Sequence, residues 1–341
     1  MRPREGDAAD HINDETRRFQ ILALDGGGVR GIFTAALLAG IEQDTGRSVL
    51  EHFDLVVGTS TGGIVALGLG AGLTPQEIVE FYVTENRRIF ANRMRWRMAR
   101  QPFATKYGAT ALKAALQRTF GEKLLGESIV PLVIPSFNLG ENDVYLFKTP
   151  HHERLKRDYR VPMWAVAMAT SAAPTYFPAF RLPDSHVRLI DGGVWANNPA
   201  MVGVTEAISM FDRALTNLRV LSLGTTSELK LGRSRLNSAG WLRWGPNAAN
   251  VLLDGQSAAA FKQAQHLVGV DYARRLDPPA PKELSSMDAA DARELIAMAA
   301  HHSRQFTPQF EAIFGSHVRS PYTPLRGPLA QEGADHVPTH P

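Results

Sequence analysis

The chain has 341 residues, 44% of them apolar, enough to bury one large core. Thirty-seven Lys and Arg against thirty-four Asp and Glu leave a formal net charge of +3, too balanced to coat a nucleic-acid polymer, so any anionic partner needs a local basic cluster. The absence of cysteine excludes disulfides, thiolate metal sites and a cysteine nucleophile, and fits a reducing cytoplasm.

Residues 1–17 are polar, lack the apolar core of a signal peptide and read as a disordered leader. No stretch reaches the roughly 18 uninterrupted apolar residues of a membrane-spanning helix, so contact with a membrane would be made from its surface. Phe19–Leu24 is an apolar run that stops at three glycines, the pattern of a buried parallel strand entering a tight turn. Helical spacing follows from Ile32 to Thr45, then a second buried strand at Phe53–Val57 and a helix from Thr61 to about Ala71. Strand, turn and helix twice within some fifty residues predict a parallel α/β sheet. Thr74-Pro75-Gln76-Glu77 has the residues of a capping box with proline at the first helical position, so a third helix starts there and is expected to run to about Asn92. Further strands are predicted at Val130–Phe137, Asp143–Lys148, Arg188–Ile190 and Arg219–Leu223, and helices at Met163–Ser171 and Ala200–Phe211. Beyond residue 235 the pattern turns mainly helical, with one amphipathic helix over Met287–Phe306, and residues 316–341 read as a disordered tail.

Three segments carry chemistry. Gly58-Thr59-Ser60-Thr61-Gly62 matches G-x-S-x-G, in which a serine sits on a sharp strand-to-helix turn and the flanking glycines avoid a clash. The plainer reading is a glycine-rich helix start capped by Ser60. Asp25-Gly-Gly-Gly-Val-Arg-Gly31 offers unobstructed N–H groups beside a helix N-terminus, a cradle for an oxyanion. Gly26, Gly28 and Gly31 also satisfy G-x-G-x-x-G of a dinucleotide-binding fold. That reading needs an acidic residue ending the second strand, where this chain has Gly58-Thr59-Ser60 instead. The third segment, Ile190-Asp191-Gly192-Gly193, puts a carboxylate at the end of a strand; alone it is an ordinary turn signal. None of the eleven histidines is well placed by sequence to serve Ser60, and His186, nearest to Asp191, reads as a surface-loop residue. Without a histidine a carboxylate has to take the serine proton, and Asp191 is the natural candidate.

DGGGVRG, GTSTGG and DGG, in this order, resemble the signature of the patatin-like phospholipases over about residues 19–225, and Ser171-Ala172-Ala173-Pro174 with Tyr176-Phe177-Pro178 is similar to a further segment of that family. The resemblance implies a three-layer α/β/α fold with a mainly parallel central sheet, a Ser60–Asp191 dyad without histidine, and an oxyanion hole from Gly26, Gly27 and Gly28 with Arg30 beside it. It implies no cofactor for catalysis, and the sequence holds no metal-binding motif. In size and in its helical C-terminal part the chain also resembles the CapV-type effectors of bacterial anti-phage (CBASS) signalling, phospholipases switched on by a cyclic dinucleotide such as cGAMP. That implies a cyclic dinucleotide activator, membrane phospholipid as substrate surface, and a cytoplasmic protein that is peripheral at the inner membrane when active; a homo-oligomer is compatible with it. A constitutive patatin-like lipase, a non-hydrolytic nucleotide-binding module and a silent interaction protein remain as alternatives.

Two basic clusters are candidates for contacts. Arg87–Arg100 carries six arginines, no acid and several apolar anchors, with Arg93, Arg95, Trp96 and Arg97 at its centre, the composition of a segment that meets anionic headgroups. An exposed helix end is the equally weighted alternative. Arg233, Arg235, Trp241 and Arg243 combine charge with flat rings able to hold phosphates and stack bases, though a solvated loop is the more frequent outcome for such a run. The expected organisation is a catalytic core over 18–230, a mainly helical C-terminal extension over 231–315 packed on it, and the tail from 316.

Overall fold

The computed structural model describes residues 18–90, 105–183, 185–228, 241–281, 284, 288 and 290–330. In chain order its first half contains β1 (Phe19–Leu24), α1 (Gly31–Thr45), β2 (Leu55–Gly58), α2 (Thr61–Gly70), α3 (Pro75–Phe90), α4 (Ala109–Phe120), β3 (Leu132–Asn138), β4 (Asp143–Lys148) and α5 (Met163–Thr170). There follow β5 (Phe180–Arg181), β6 (Arg188–Asp191), α6 (Ala200–Phe211), β7 (Leu218–Leu223), β8 (Ser227–Glu228), α7 (Trp241–Val268), β9 (Ala273–Leu276), β10 (Pro279–Ala280) and α8 (Ala292–Phe310). The central sheet runs β5-β6-β3-β2-β1-β7-β9, with β4 on the free side of β3.

β1 is buried along its whole length, as a strand covered on both faces must be. Its side chains alternate between two cores. Leu22 and Leu24 join Phe33, Leu37 and Ile64 on one face, while Phe19, Ile21 and Ala23 join Val204, Ala207 and Ala264 on the other. The result is a three-layer α/β/α body. α1 and α2 lie in the first layer, and every residue of α2 is buried, which accounts for its apolar and glycine-rich sequence on all sides. α1 ends at Gly46 in the left-handed conformation, φ +67°. α3 opens with the predicted capping box, the Thr74 N–H donating to Glu77 Oε2 at 2.8 Å and the Glu77 N–H to Thr74 Oγ1 at 3.2 Å.

The register around β3 positions the site. β4 pairs with β3 antiparallel from Val133 to Asn138 and so occupies one edge throughout. The other edge is shared: β2 runs parallel along Leu132 and Val133, and β6 antiparallel along Asn138, Phe137 and Ser136. A strand has only two edges, so β2 and β6 meet head-on, their C-terminal ends separated by the short gap at Ile134 and Pro135. The turn after β2 carries Ser60, and β6 ends in Asp191.

The C-terminal part carries the expected helices and adds strands that the sequence did not signal. Between two helices it supplies β9, which extends the sheet by pairing parallel with β7, and β10, which pairs with β8. α8 starts at Ala292 and not at Met287, capped by Asp291, whose carboxylate accepts from the Arg293 and Glu294 N–H groups. It packs along α1, and the Phe310 and Phe314 rings reach Phe53 at 6.2 and 5.8 Å. The reading of 316 onward as a disordered tail needs correction up to residue 330. His317 reaches Asp54 Oδ2 at 2.7 Å, and the Arg319 and Leu325 N–H groups donate to the carbonyls of Glu51 and Pro150. Local polarity hid these long-range partners. Residues 1–17 and 331–341 lie outside the described residues. Among those described, no helix is long and apolar enough to cross a membrane.

Candidate active site

Ser60 stands between β2 and α2 with φ +55° and ψ −121°, a backbone conformation that costs a non-glycine residue roughly 1–3 kcal/mol and persists only where its surroundings impose it. They do so by close approach. A Cβ at Gly58 would run into the carbonyl of Gly62, and one at Gly62 into the carbonyl of Leu24. The Ser60 N–H donates to Thr170 Oγ1 at 2.9 Å, and that hydroxyl donates to the Pro135 carbonyl at 2.6 Å.

Across the gap on β3, Ser60 Oγ donates to Asp191 Oδ2 at 2.6 Å. The other carboxylate oxygen accepts the Gly193 N–H at 2.7 Å, and the Asp191 N–H is held by the carbonyl of Ala172 at 3.0 Å. Thr170 and Ala172, in and beside the Ser-Ala-Ala-Pro segment, therefore anchor both partners. Ser60 and Asp191 are 6% and 5% exposed. Burial lifts the Asp191 carboxyl from 3.8 to about 6, against the hydrogen bonds from Ser60 and Gly193 that pull it down. Among the described residues no histidine bonds to either. The His151 side chain is enclosed away from the dyad: it stacks on Phe211 and bonds to Glu206 at 2.9 Å, with its basicity lowered chiefly by burial.

The glycine loop closes over Ser60. The Gly26 N–H donates to the Asn197 carbonyl at 3.1 Å and the Gly27 N–H to Thr61 Oγ1 at 3.1 Å. Both are engaged in holding the loop. Gly28, with φ +63°, and Val29 line the cavity that opens on Ser60, and no described residue accepts from their N–H groups. Arg30 turns to the backbone, Nε donating to the Gly27 carbonyl at 3.2 Å and Nη1 to the Thr226 carbonyl at 2.7 Å, so it ties the loop to the segment after β7. The cavity walls are mainly apolar, with Ile64, Phe81, Ile89, Leu112 and Phe177 among them. A mainly apolar cavity with a serine hydroxyl in its wall suits an acyl chain with its ester beside that hydroxyl.

Sequence reasoning missed the charged pair beneath the loop. Arg275, on β9, donates to Asp25 Oδ2 at 2.7 Å, to Asp277 Oδ2 at 2.9 Å and to Ser222 Oγ at 2.8 Å. Burial raises Asp25 to about 6 although Arg275 opposes it, and the two carboxylates hold Arg275 firmly charged. No spacing rule links positions 25 and 275. Arg93, Arg95, Trp96, Arg97, Arg233 and Arg235 lie outside the described residues; Trp241 and Arg243 fall in the first turn of α7, with side chains outside the description. Among the described residues no cluster of acids and histidines is arranged to hold a metal ion.

A serine on a strand-to-helix turn of a mixed, mainly parallel α/β sheet, bonded to a strand-end aspartate and lining a mainly apolar cavity, has the geometry of a hydrolase site. The chain belongs to the patatin-like phospholipase family, whose model matches residues 22–204. It is 31% identical over 279 residues to a cGAMP-activated phospholipase of Pseudomonas aeruginosa, covering 80% of this chain and 82% of that one. It is 33% identical over 340 residues to a cGAMP-activated phospholipase of Vibrio cholerae, covering 88% and 93%. Among solved structures, VipD from Legionella pneumophila aligns with a TM-score of 0.48 at 12% identity, over 88% of this chain and 67% of that one.

Proposed function

We propose that this hydrolase cleaves fatty-acyl esters of membrane phospholipids through a Ser60–Asp191 dyad, and that a cyclic dinucleotide activates it. The observation that carries the dyad is the 2.6 Å hydrogen bond from Ser60 Oγ, which lines an apolar cavity, to the buried Asp191 Oδ2. Asp191 accepts the Ser60 proton as Oγ attacks the ester carbonyl. A carboxylate lifted to about 6 by burial is ionised at neutral pH and is a stronger base than an ordinary one. The oxyanion of the tetrahedral intermediate is met by the Gly28 N–H, while Gly26, Gly27 and Arg30 fix the loop that presents it. A single such donor contributes roughly 3 kcal/mol. The intermediate collapses as the alcohol leaves with the proton from Asp191. Water then gives a proton to Asp191 and attacks the acyl-enzyme, and the fatty acid departs as Ser60 recovers its proton.

The cyclic dinucleotide part rests on the two relatives named cGAMP-activated phospholipase, aligned over most of their length. Arg233, Arg235, Trp241 and Arg243 are the first contacts to try for the nucleotide, and Arg93, Arg95, Trp96 and Arg97 for the membrane. One experiment tests the whole: fatty-acid release from phosphatidylglycerol vesicles by wild type and Ser60→Ala, with and without cGAMP. Release that requires both Ser60 and the nucleotide is expected. Full release without nucleotide, together with no calorimetric binding of any cyclic dinucleotide to the Ser60→Ala protein, would leave a constitutive lipase.

A further inference from the structure

Asn197 has its backbone and side-chain polar groups committed in two directions. Toward the active site, its carbonyl accepts the Gly26 N–H at 3.1 Å, and its side-chain oxygen lies so close to Gly26 that a methyl group there would collide with it. The same oxygen faces Gly193, the residue whose N–H holds Asp191. Away from the site, the Asn197 N–H donates to Gln256 Oε1 at 2.9 Å and Nδ2 donates to Ser257 Oγ at 3.0 Å. Gln256 and Ser257 are consecutive residues in α7, and Ser257 is buried. The chain on either side is also tied down: the Ala196 carbonyl accepts from Thr59 Oγ1 at 2.6 Å, and Asn198 Nδ2 donates to Ser222 Oγ at 2.9 Å.

We infer that Asn197 is a positioning residue through which α7 sets the glycine loop and the Asp191 turn relative to Ser60. This rests on the dyad reading and extends it, because it makes a helix of the C-terminal part a working component of the site. An oxyanion donor acts only when held within a few tenths of an ångström of its productive place, so a loose anchor lowers turnover more than it lowers binding. Any ligand that shifts α7 changes both halves of the site together. The energy for that shift comes from its preference for one position of the helix.

The test uses the full chain and p-nitrophenyl butyrate, a soluble ester that removes membrane binding from the measurement. Gln256→Ala combined with Ser257→Ala cuts both ties without touching the loop, the elbow or Asp191. The expected result is a kcat at least tenfold lower, a KM within twofold of wild type, and a parallel fall in the rate at which a fluorophosphonate labels Ser60. Ser257→Thr, which keeps the hydroxyl, restores most of kcat when Gln256 is intact. Asn197→Ala is a second arm, read only if its circular dichroism and unfolding cooperativity match wild type. A double variant within twofold of wild-type kcat would overturn the inference, provided Ser60→Ala is inactive in the same assay. If Ser60→Ala still hydrolyses the ester, it is the dyad reading itself that fails.

Discussion

Replacing Asp191 by Asn keeps the shape of the site and removes its charge. Asn can still accept the Gly193 N–H through one atom and can donate to Ser60 Oγ through the other, so the packing is preserved. The charge, however, is costly to the fold. The Asp191 carboxyl titrates at about 6 in the folded protein against an ordinary 3.8, so the folded state holds the proton more tightly than the unfolded state. The stability this group contributes is fully present below pH 3.8 and is lost as pH rises through about 6. About two units of difference at 1.36 kcal/mol each amount to about 3 kcal/mol at pH 8. For a chain of 341 residues the unfolding entropy is about 0.7 kcal/mol per degree, so Asp191→Asn is expected to melt about 4 °C above wild type at pH 8. Near pH 4 the two should converge. In the same preparation, ester hydrolysis should fall by at least a hundredfold, the loss of a general base. Thermal unfolding by circular dichroism across pH 4 to 8, beside p-nitrophenyl butyrate assays, checks both. A variant less stable than wild type by the same amount at every pH would refute the argument, because the ionised carboxylate would then not be the strained component.

The pH profile of kcat/KM on a neutral soluble ester should rise with an apparent pKa of about 6 as Asp191 ionises, and a limb near 4 would contradict the burial argument. Gly28→Ala and Gly46→Ala both force a side chain into the left-handed region, φ +63° and +67°, and each should cost about 1 kcal/mol of stability in denaturant titrations. Only Gly28→Ala should also lower kcat by tenfold or more, since Gly46 ends α1 in open space. Changing Arg93, Arg95 and Arg97 together to Glu should weaken sedimentation with phosphatidylglycerol vesicles by roughly a hundredfold, from about 1 kcal/mol per basic residue. Hydrolysis of the soluble ester should be spared, and unchanged vesicle binding would return this segment to an ordinary helix end.

What the sequence revealed followed from local signals. β1 and β2 are apolar runs stopped by glycine because they are buried on both faces, and the serine turn carries its own steric signature in Gly58 and Gly62. The bounds of β4 and α6 came out as predicted, Asp143–Lys148 and Ala200–Phe211. β9 was not legible. Ala-Arg-Arg-Leu has no apolar run, since this strand sits at the sheet edge, and one of its arginines serves the buried carboxylate of Asp25. α4 also escaped, with much of its surface exposed and no capping side chain at its start. At the site, the motifs singled out Ser60 and Asp191, which stand 2.6 Å apart, but which N–H groups of the glycine loop stay unengaged could not be read. That depends on Asn197 and Thr61, which reach the loop only through the tertiary fold. The histidines show the same limit: the side chains of His52 and His151 are enclosed, each satisfied by a partner far away in the chain.

The shared edge of β3 bears on when, during synthesis, the proposed dyad can assemble. Ser60 and Asp191 arrive from opposite directions on β2 and β6, 131 residues apart, and have no local reason to meet. Until β3 has formed and both strands have docked on it, the serine is merely one hydroxyl on an unfinished turn. On the proposed dyad, a chain still emerging from the ribosome, with residue 191 not yet made, would hold Ser60 without its base. Because such long-range pairing is the slow part of folding a parallel sheet, the Ser60–Asp191 pair is expected to form late. On the same reading, a fragment cut between the two strands and then separated is expected to hydrolyse no ester.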